Sequence, residues 1–238
     1  MKTVDISVIV PAYNEVGNVQ ALADEVTAVM KKIKKEYEIL FVDDGSTDGT
    51  AEKLQEMAQS DSAVRAIRFA RNHGQSAALA AGFRYARGSV FVLMDADLQN
   101  DPADIPHMLA QLDTYDAVCG WRRTRQDDFV KRISSKIANT VRNWATNEQI
   151  HDTGCALKLF KRECVHNIKL YHGLHRFIPT LIKIEGYNVV EVKVNHRPRT
   201  NGISKYNIGN RLFCSLYDLI AVRWMMKRQI RFAEDVLE

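Results

Sequence analysis

Ile6-Ser7-Val8-Ile9-Val10-Pro11 is a short apolar run that stops at a proline, and a polar cluster, Tyr13-Asn14-Glu15, follows it at once. A run of this length bounded by breakers reads as a buried strand. What comes next decides the fold. From Val19 to Lys35 the apolar residues Leu22, Val26, Val29, Met30 and Ile33 recur at helical spacing. Glu38-Ile39-Leu40-Phe41-Val42 is a second apolar strand, stopped by Asp43-Asp44-Gly45-Ser46. Thr47 to Ala58 reads as a helix with Thr47 or Asp48 as N-cap. Val64 to Phe69 is a third strand and Gln75 to Ala86 an alanine-rich helix. Val90-Phe91-Val92-Leu93-Met94 is a fourth strand, Ala103 to Leu112 a further helix, and Tyr115 to Cys119 a fifth strand. Strands alternating with helices predict an α/β fold with a doubly wound, mostly parallel sheet. Such sheets bind ligands beyond the carboxyl ends of their strands. The polar clusters stand there, after Val10, Val42 and Met94. No G-x-G-x-x-G follows the first strand, which argues against a dinucleotide-binding dehydrogenase.

The second half is less regular. Lys131 to Asn147 reads as a basic helix with Ile133, Ile137, Val141 and Trp144 on one face. Gly186 to Val194 reads as a strand. Ile208 to Met226 has Ile208, Leu212, Phe213, Leu216, Leu219 and Ile220 at helical spacing, ending in Arg223, Lys227 and Arg228. Residues 1–207 are therefore expected to form one domain and residues 208–238 an amphipathic helical extension.

The 238 residues suit one large α/β domain with a short appendage. The net charge of +4 conceals an asymmetry. Residues 1–120 carry 11 Lys and Arg against 18 Asp and Glu, and residues 121–238 carry 22 against 11. The basic half implies an anionic partner. Aromatic-rich RNA-binding signatures are absent, so nucleic acid is not the expected partner. Cys119, Cys155, Cys164 and Cys214 form no CxxC pair and read as buried thiols of a reducing compartment. The N-terminus has no signal-peptide pattern, and no run reaches the ~18 apolar residues of a membrane span.

Asp95-Ala96-Asp97-Leu98-Gln99 carries the sharpest chemical signal. If the extended backbone of the fourth strand persists, Asp95, Asp97 and Gln99 share a face and converge. Hard oxygen ligands of this kind suit Mg²⁺ or Mn²⁺, which take few protein carboxylates and complete their shell with water and phosphate. Taken alone, the same residues also read as a solvated acidic turn before Pro102. The carboxylates after the first two strands can accept hydrogen bonds from a base or ribose, and Tyr13 offers a ring to stack on a base. Gly45, Thr47, Asp48 and Gly49 read instead as turn and cap residues.

In order, Pro11-Ala12-Tyr13-Asn14-Glu15, Val42 to Thr50, Arg71 to Leu79 and Asp95 to Pro102 resemble glycosyltransferase family 2, whose fold is the Rossmann-like GT-A type. Gly120-Trp121-Arg122, Lys131 to Ser135, Asp152-Thr153-Gly154-Cys155 and Arg199 to Lys205 are similar to the polyprenyl-phosphate members, such as dolichol-phosphate mannosyltransferases. The resemblance covers about residues 5–207. It implies a nucleotide diphosphate-sugar donor, a polyprenyl phosphate acceptor and Mg²⁺ or Mn²⁺ as cofactor. It implies that Pro11, Tyr13, Glu15 and Asp44 hold the nucleoside, with the Ala96 backbone beside it. Asp95, Asp97 and Gln99 would hold the metal. Arg122, Arg199 and Lys205 would face phosphates of donor or acceptor, with Ser135 at the lipid phosphate. Asp97, Arg122, Ser135 and Arg199 are the expected catalytic set.

A sugar hydroxyl needs a general base to attack an anomeric carbon, whereas a phosphate monoester, with a second pKa of about 6, is already ionised near neutral pH. An arginine-rich, acid-poor half suits the phosphate. Asp152 is the one acid to nominate as a base, and a positioning role is the expectation for it. Two other functions stay open: transfer to a saccharide hydroxyl, and a non-catalytic membrane-binding module. The acceptor places the protein at a membrane surface, peripheral on the cytoplasmic face. Residues 208–231, with Trp224, Met225 and Met226, suit an interfacial position, and a small membrane subunit is the other route to anchoring.

Overall fold

The structure, a computed structural model, describes residues 4–122, 140, 142–143, 146, 150–198 and 208–229. Seven strands form one sheet in the order β3-β2-β1-β4-β6-β5-β7. They are β1 Ile6–Ala12, β2 Tyr37–Asp43, β3 Val64–Arg68, β4 Val90–Leu93, β5 Ala117–Trp121, β6 Lys158–Lys161 and β7 Val189–Lys193. The helices are α1 Val19–Ile33, α2 Thr50–Ser60, α3 Gln75–Tyr85, α4 Ile105–Leu109, α5 Ile178–Ile184 and α6 Ile208–Arg228. Strands β3, β2, β1 and β4 are mutually parallel, β6 is antiparallel to both β4 and β5, and β7 is parallel to β5. The sheet is thus mostly parallel, with one reversed strand inside it.

Strands β1, β2, β4 and β5 are buried almost throughout because both faces are covered, whereas the outer strands β3 and β7 carry exposed or half-exposed residues. Val8, Val10, Ile39, Phe41 and Val92 pack on one side with α1, α2 and α4. Ile9, Leu40, Val42, Phe91 and Leu93 pack on the other with α3 and α5. Each fully buried side chain of this size stabilises the fold by about 1.5–3 kcal/mol. The face of α1 carrying Val19, Leu22, Val26 and Met30 is buried, as its spacing predicts, and the helix stops where Lys34 turns left-handed at φ 58°. Helix α3 lies close on β1. A Cβ at Gly82 would stand 2.3 Å from the Ile9 side chain. At the edge of the sheet remote from the polar loops, Glu38 is buried and accepts from Ser7 (2.7 Å), Arg65 (2.6 Å) and the Arg87 amide (2.6 Å). This satisfied polar cluster fastens strands and holds no ligand-facing loop.

Several expectations change. Strand β6 was not predicted. Lys158-Leu159-Phe160-Lys161 is four residues with a lysine at each end, too short for a period to show. The helix expected over 103–112 is broken into a 3₁₀ turn Pro102–Asp104, α4, and a second 3₁₀ turn Ala110–Asp113. Pro102 and Pro106 supply the reason, since neither donates a backbone hydrogen bond. Of the basic helix expected over 131–147, Thr140, Arg142, Asn143 and Thr146 are described and helical, and the rest lies outside the described residues.

Of the stripe expected on the last helix, the side chains of Ile208, Leu212 and Phe213 lie outside the described residues, and Leu216, Leu219 and Ile220 are divided between two faces. Leu219 and Val222 are buried, with Met225 and Met226 beside them, against Leu174, Phe177, Leu181 and Ile184. Leu216, Tyr217, Ile220 and Trp224 face outward and are 51–76% exposed. Asp218 approaches Gly173, where a Cβ would come within 2.2 Å of its Oδ2. Among the described residues, helix α6 is therefore anchored to α5 and the 3₁₀ turn Leu174–Phe177 through the side that carries Leu219 and Val222.

Candidate active site

Three loops meet at the carboxyl ends of β1, β2 and β4. The first two are stitched together by side chains acting on backbone. The Asn14 amide donates to Ser46 Oγ (2.9 Å), Thr47 N to Asn14 Oδ1 (2.8 Å), Glu15 N to Thr50 Oγ1 (2.9 Å) and Val16 N to Asp48 Oδ2 (3.2 Å). Asn14 itself is left-handed at φ 55°. Asp48 Oδ1 accepts from the Thr50 amide (3.0 Å), so it caps α2 from two positions before the helix, which begins at Thr50 and not at Thr47. Burial would raise the Asp48 carboxyl, but hydrogen bonds from Thr50 and Val16 outweigh it and hold the group below the ordinary carboxylate value. Turn and cap chemistry accounts for Asp48, as its spacing suggested.

Asp44 is buried, and its two oxygens accept from the His73 amide (2.7 Å) and the Gly74 amide (2.8 Å). It thereby pins the loop that leads into α3. Gly45, at φ 73°, lets that loop pass, because a Cβ would lie 2.5 Å from the Arg71 carbonyl carbon. The nucleoside role expected of Asp44 thus falls on a carboxylate that already organises backbone. Its neighbour Asp43 is 1% exposed, accepts from Ser46 N with one oxygen, and has no hydrogen bond on the other among the described residues. Pro11 lies in β1, and Tyr13 and Glu15 are half-buried in the loop after it. Glu15 accepts from the Asn18 amide group at 2.7 Å.

After β4 the extended backbone does not persist. The chain turns at Ala96-Asp97, and Leu98 is left-handed at φ 60°. Sharing of one strand face therefore does not bring Asp95, Asp97 and Gln99 together. Asp97 is buried and accepts from the Gln99 amide (3.2 Å), and Asp95 accepts from Gln75 Nε2 (2.9 Å). The Gln99 carbonyl accepts from Arg197 N (3.0 Å). No cluster of three or more His, Cys, Asp or Glu suited to a metal occurs among the described residues. Two carboxylates in one turn are nevertheless the donor set that Mg²⁺ or Mn²⁺ needs when phosphate and water fill the remaining positions.

The segment after β7 returns to this loop. Asn195 holds Asp104 through its amide nitrogen (2.7 Å) and its side chain (3.1 Å), and Arg197 bridges Glu25 (2.6 Å) and Asp101 (2.8 Å). Burial raises the Asp104 carboxyl, against the Asn195 hydrogen bond. Arg199, Lys205 and Ser135, expected at phosphates, lie outside the described residues.

Arg122 is not on an open cationic surface. Its Nε and Nη2 form a bidentate pair with Asp152 at 2.7 and 3.0 Å, and its amide donates to the same carboxylate. Both side chains are nearly buried, at 12% and 5% exposure. Asp152 in turn takes its place from Glu191, which accepts its amide (3.0 Å). Arg142 is buried alongside, donating to Thr153 Oγ1 and to the Ile150 carbonyl. The loop 150–155 is thus built on ion pairs. Burial pushes the thiols of Cys119 and Cys164 up to about 12 and raises that of Cys155, so none of the three is a nucleophile.

Beyond Asp95 lies a cavity of about 160 Å³ between the ends of β1 and β4, the 153–156 loop and the 175–178 turn. Pro11, Asp95, Lys158, His175 and Arg176 line it. Ser76 Oγ stands 2.9 Å from His175 Nδ1. Sequence reasoning passed over Lys158 and Arg176, and gave His175, one of several histidines without metal-ligand spacing, no role in the site. Because β6 runs against its neighbours, its first residue, Lys158, sits opposite Leu93 at the ligand edge. A search of strand carboxyl ends does not find it.

The arrangement is a GT-A fold, with acidic loops at the β1–β2–β4 edge and a cavity beside them. Residues 7–169 match the family model of glycosyl transferase family 2. The chain is 36% identical over 237 residues to the dodecaprenyl-phosphate galacturonate synthase of Rhizobium johnstonii, covering 97% of this chain and 70% of that one. Among solved structures, glucosyl-3-phosphoglycerate synthase from Mycobacterium tuberculosis with Mn²⁺ and uridine-diphosphate-glucose superposes with TM-score 0.71 at 17% identity, over 94% of this chain and 79% of that one. A mannosyltransferase from Pyrobaculum calidifontis with GDP-Man and Mn²⁺ gives TM-score 0.62 at 19% identity, over 97% and 66%. The chain belongs to glycosyl transferase family 2 and is a glycosyltransferase.

Proposed function

We propose that the enzyme transfers a hexose or modified hexose from a nucleotide diphosphate-sugar to a polyprenyl phosphate, inverting the anomeric centre. The likeness to the Rhizobium galacturonate synthase over nearly the whole chain carries this reading. The pairing of Asp152 adds to it, since the acid best placed to serve as a base spends its carboxylate on Arg122. A phosphate nucleophile needs no base. Pro11, Tyr13, Glu15, Asp43 and Asp44 line the nucleoside end. Asp95 and Asp97, with Gln99, would hold Mg²⁺ or Mn²⁺, which when bound offsets charge on the departing diphosphate. The test is a comparison of acceptors of equal chain length, a polyprenyl phosphate and the corresponding polyprenol. Transfer to the phosphate alone is expected. Transfer to the alcohol or to a saccharide would favour a hydroxyl-directed enzyme.

Arg199 belongs to the same reading as a phosphate contact. Arg199→Ala is expected to lower kcat/KM for the lipid acceptor by about 10–100-fold, the size of one lost charge-assisted hydrogen bond. Normal steady-state kinetics with that acceptor would remove the role.

The acceptor requires a membrane, and among the described residues no helix is long and apolar enough to cross one. The outward face of α6 supplies a docking surface. Leu216, Tyr217, Ile220 and Trp224 are exposed there, and Lys227 and Arg228 are exposed at the helix end. Apolar residues beside basic ones suit an anionic leaflet on the cytoplasmic side. Full-length protein is expected to co-sediment with anionic liposomes, less so as salt rises. The paired change Ile220→Ser and Trp224→Ser should remove the salt-insensitive part, with the thermal transition unchanged because both residues face solvent. Protein that stays in the supernatant at low salt would point to a membrane subunit instead.

A further inference from the structure

Lys158 is 5% exposed and lines the cavity beyond Asp95. Its ammonium donates to the Cys155 carbonyl, and no carboxylate lies within ion-pair distance among the described residues. An ammonium has three protons to donate, and a buried charge without a counter-ion is costly. Arg176 and His175 stand on the same cavity wall. The one acid there, Asp95, is engaged by Gln75 and belongs to the diphosphate end of the site. The Lys158 ammonium, with protons left to donate, can therefore take an anion that a bound substrate brings.

Position in the sheet says which part of the substrate supplies it. The nucleoside loops lie over β1 and β2, the Asp95 turn follows β4, and Lys158 is on β6, the next strand along. A donor laid across the edge in that order reaches the cavity with its sugar. We propose that Lys158, assisted by Arg176, is the specificity-determining residue for an acidic sugar, and that it pairs with the carboxylate at C6 of a uronic acid. The proposal rests on the nucleotide-sugar reading above.

The test uses matched UDP-donors that differ only at C6, glucuronic acid against glucose and galacturonic acid against galactose, with a short polyprenyl phosphate as acceptor. Wild type is expected to favour an acidic donor in kcat/KM by about 100-fold, and Lys158→Met to reduce that ratio by about 10–100-fold, chiefly through the donor KM. Lys158→Arg should keep the ratio. Should Lys158→Met fail to fold, Arg176→Gln is expected to lower the same ratio. A wild-type ratio near one overturns the inference with no variant needed. So does an equal loss on both donors accompanied by a raised KM for the acceptor, which would make the cavity a seat for the lipid phosphate. If no donor yields a lipid-linked product, the functional reading itself fails and this inference with it.

Discussion

Asp97→Asn is expected to abolish sugar transfer and leave the protein folded. Asp97 is buried in the turn after β4, and one of its oxygens accepts the Gln99 amide. An asparagine oxygen can accept the same hydrogen bond, so the turn survives. What is lost is a unit of negative charge at the proposed metal site. Removing one preorganised electrostatic partner of a developing charge typically costs 10²–10³-fold in kcat, and a metal ligand at least that. Asp95→Asn should behave alike, since Gln75 can hold an amide as well as a carboxylate. Turnover titrated with Mn²⁺, alongside a thermal melt, separates chemistry from folding. Near wild-type turnover in saturating Mn²⁺, from either variant, would show that the metal is held elsewhere.

Asp152→Ala is expected to have the largest effect on stability. Its carboxylate receives three hydrogen bonds from Arg122 and is 5% exposed. Taking one partner from a buried pair leaves the other charge uncompensated and costs about 3–5 kcal/mol. For a chain of this length that is a fall in Tm on the order of 10 °C. Arg122→Ala should lower stability as well, and activity with it, because the 150–155 loop borders the cavity. Asp152→Asn decides between positioning and base catalysis. A positioning residue loses stability and rate together, with the pH–rate profile unmoved. A general base would lose its ionisation from that profile, and the melt falls in either case because the buried pair with Arg122 is broken.

How much of this the sequence discloses depends on which physical constraint each residue answers to. Strands β1 to β5 were legible to within about two residues, β1, β2 and β4 because burial on both faces leaves an unbroken apolar run with polar stops, and β3 because it alternates. Asp48 was legible as cap chemistry because its partners, Thr50 and Val16, lie in the two loops already singled out. Partnerships formed across long separations left no trace. Arg122 looked like a cation awaiting a phosphate, and only the fold shows that it pairs with Asp152. Leu98 carries no sign that it turns left-handed, since that conformation is ordinarily left to glycine or asparagine. Helix α6 shows the limit of periodicity. It is apolar on two sides, and spacing alone cannot tell that Leu219 and Val222 face α5 while Ile220 and Trp224 face outward. Lys158 was hidden by the reversal of β6, which no local pattern in four residues reveals.

The central claim is that a phosphate on a lipid, and not a sugar hydroxyl, receives the sugar with the help of a divalent metal. The most direct measurement is the radioactivity that moves into the organic phase when labelled nucleotide sugars are incubated with the full chain and undecaprenyl or dolichyl phosphate. The account predicts an organic-soluble product that requires the polyprenyl phosphate, disappears with EDTA, returns with Mn²⁺ or Mg²⁺, and releases free sugar on mild acid as a glycosyl phosphate does. Label that enters an aqueous saccharide instead, or an organic product formed equally well with EDTA present, would contradict it.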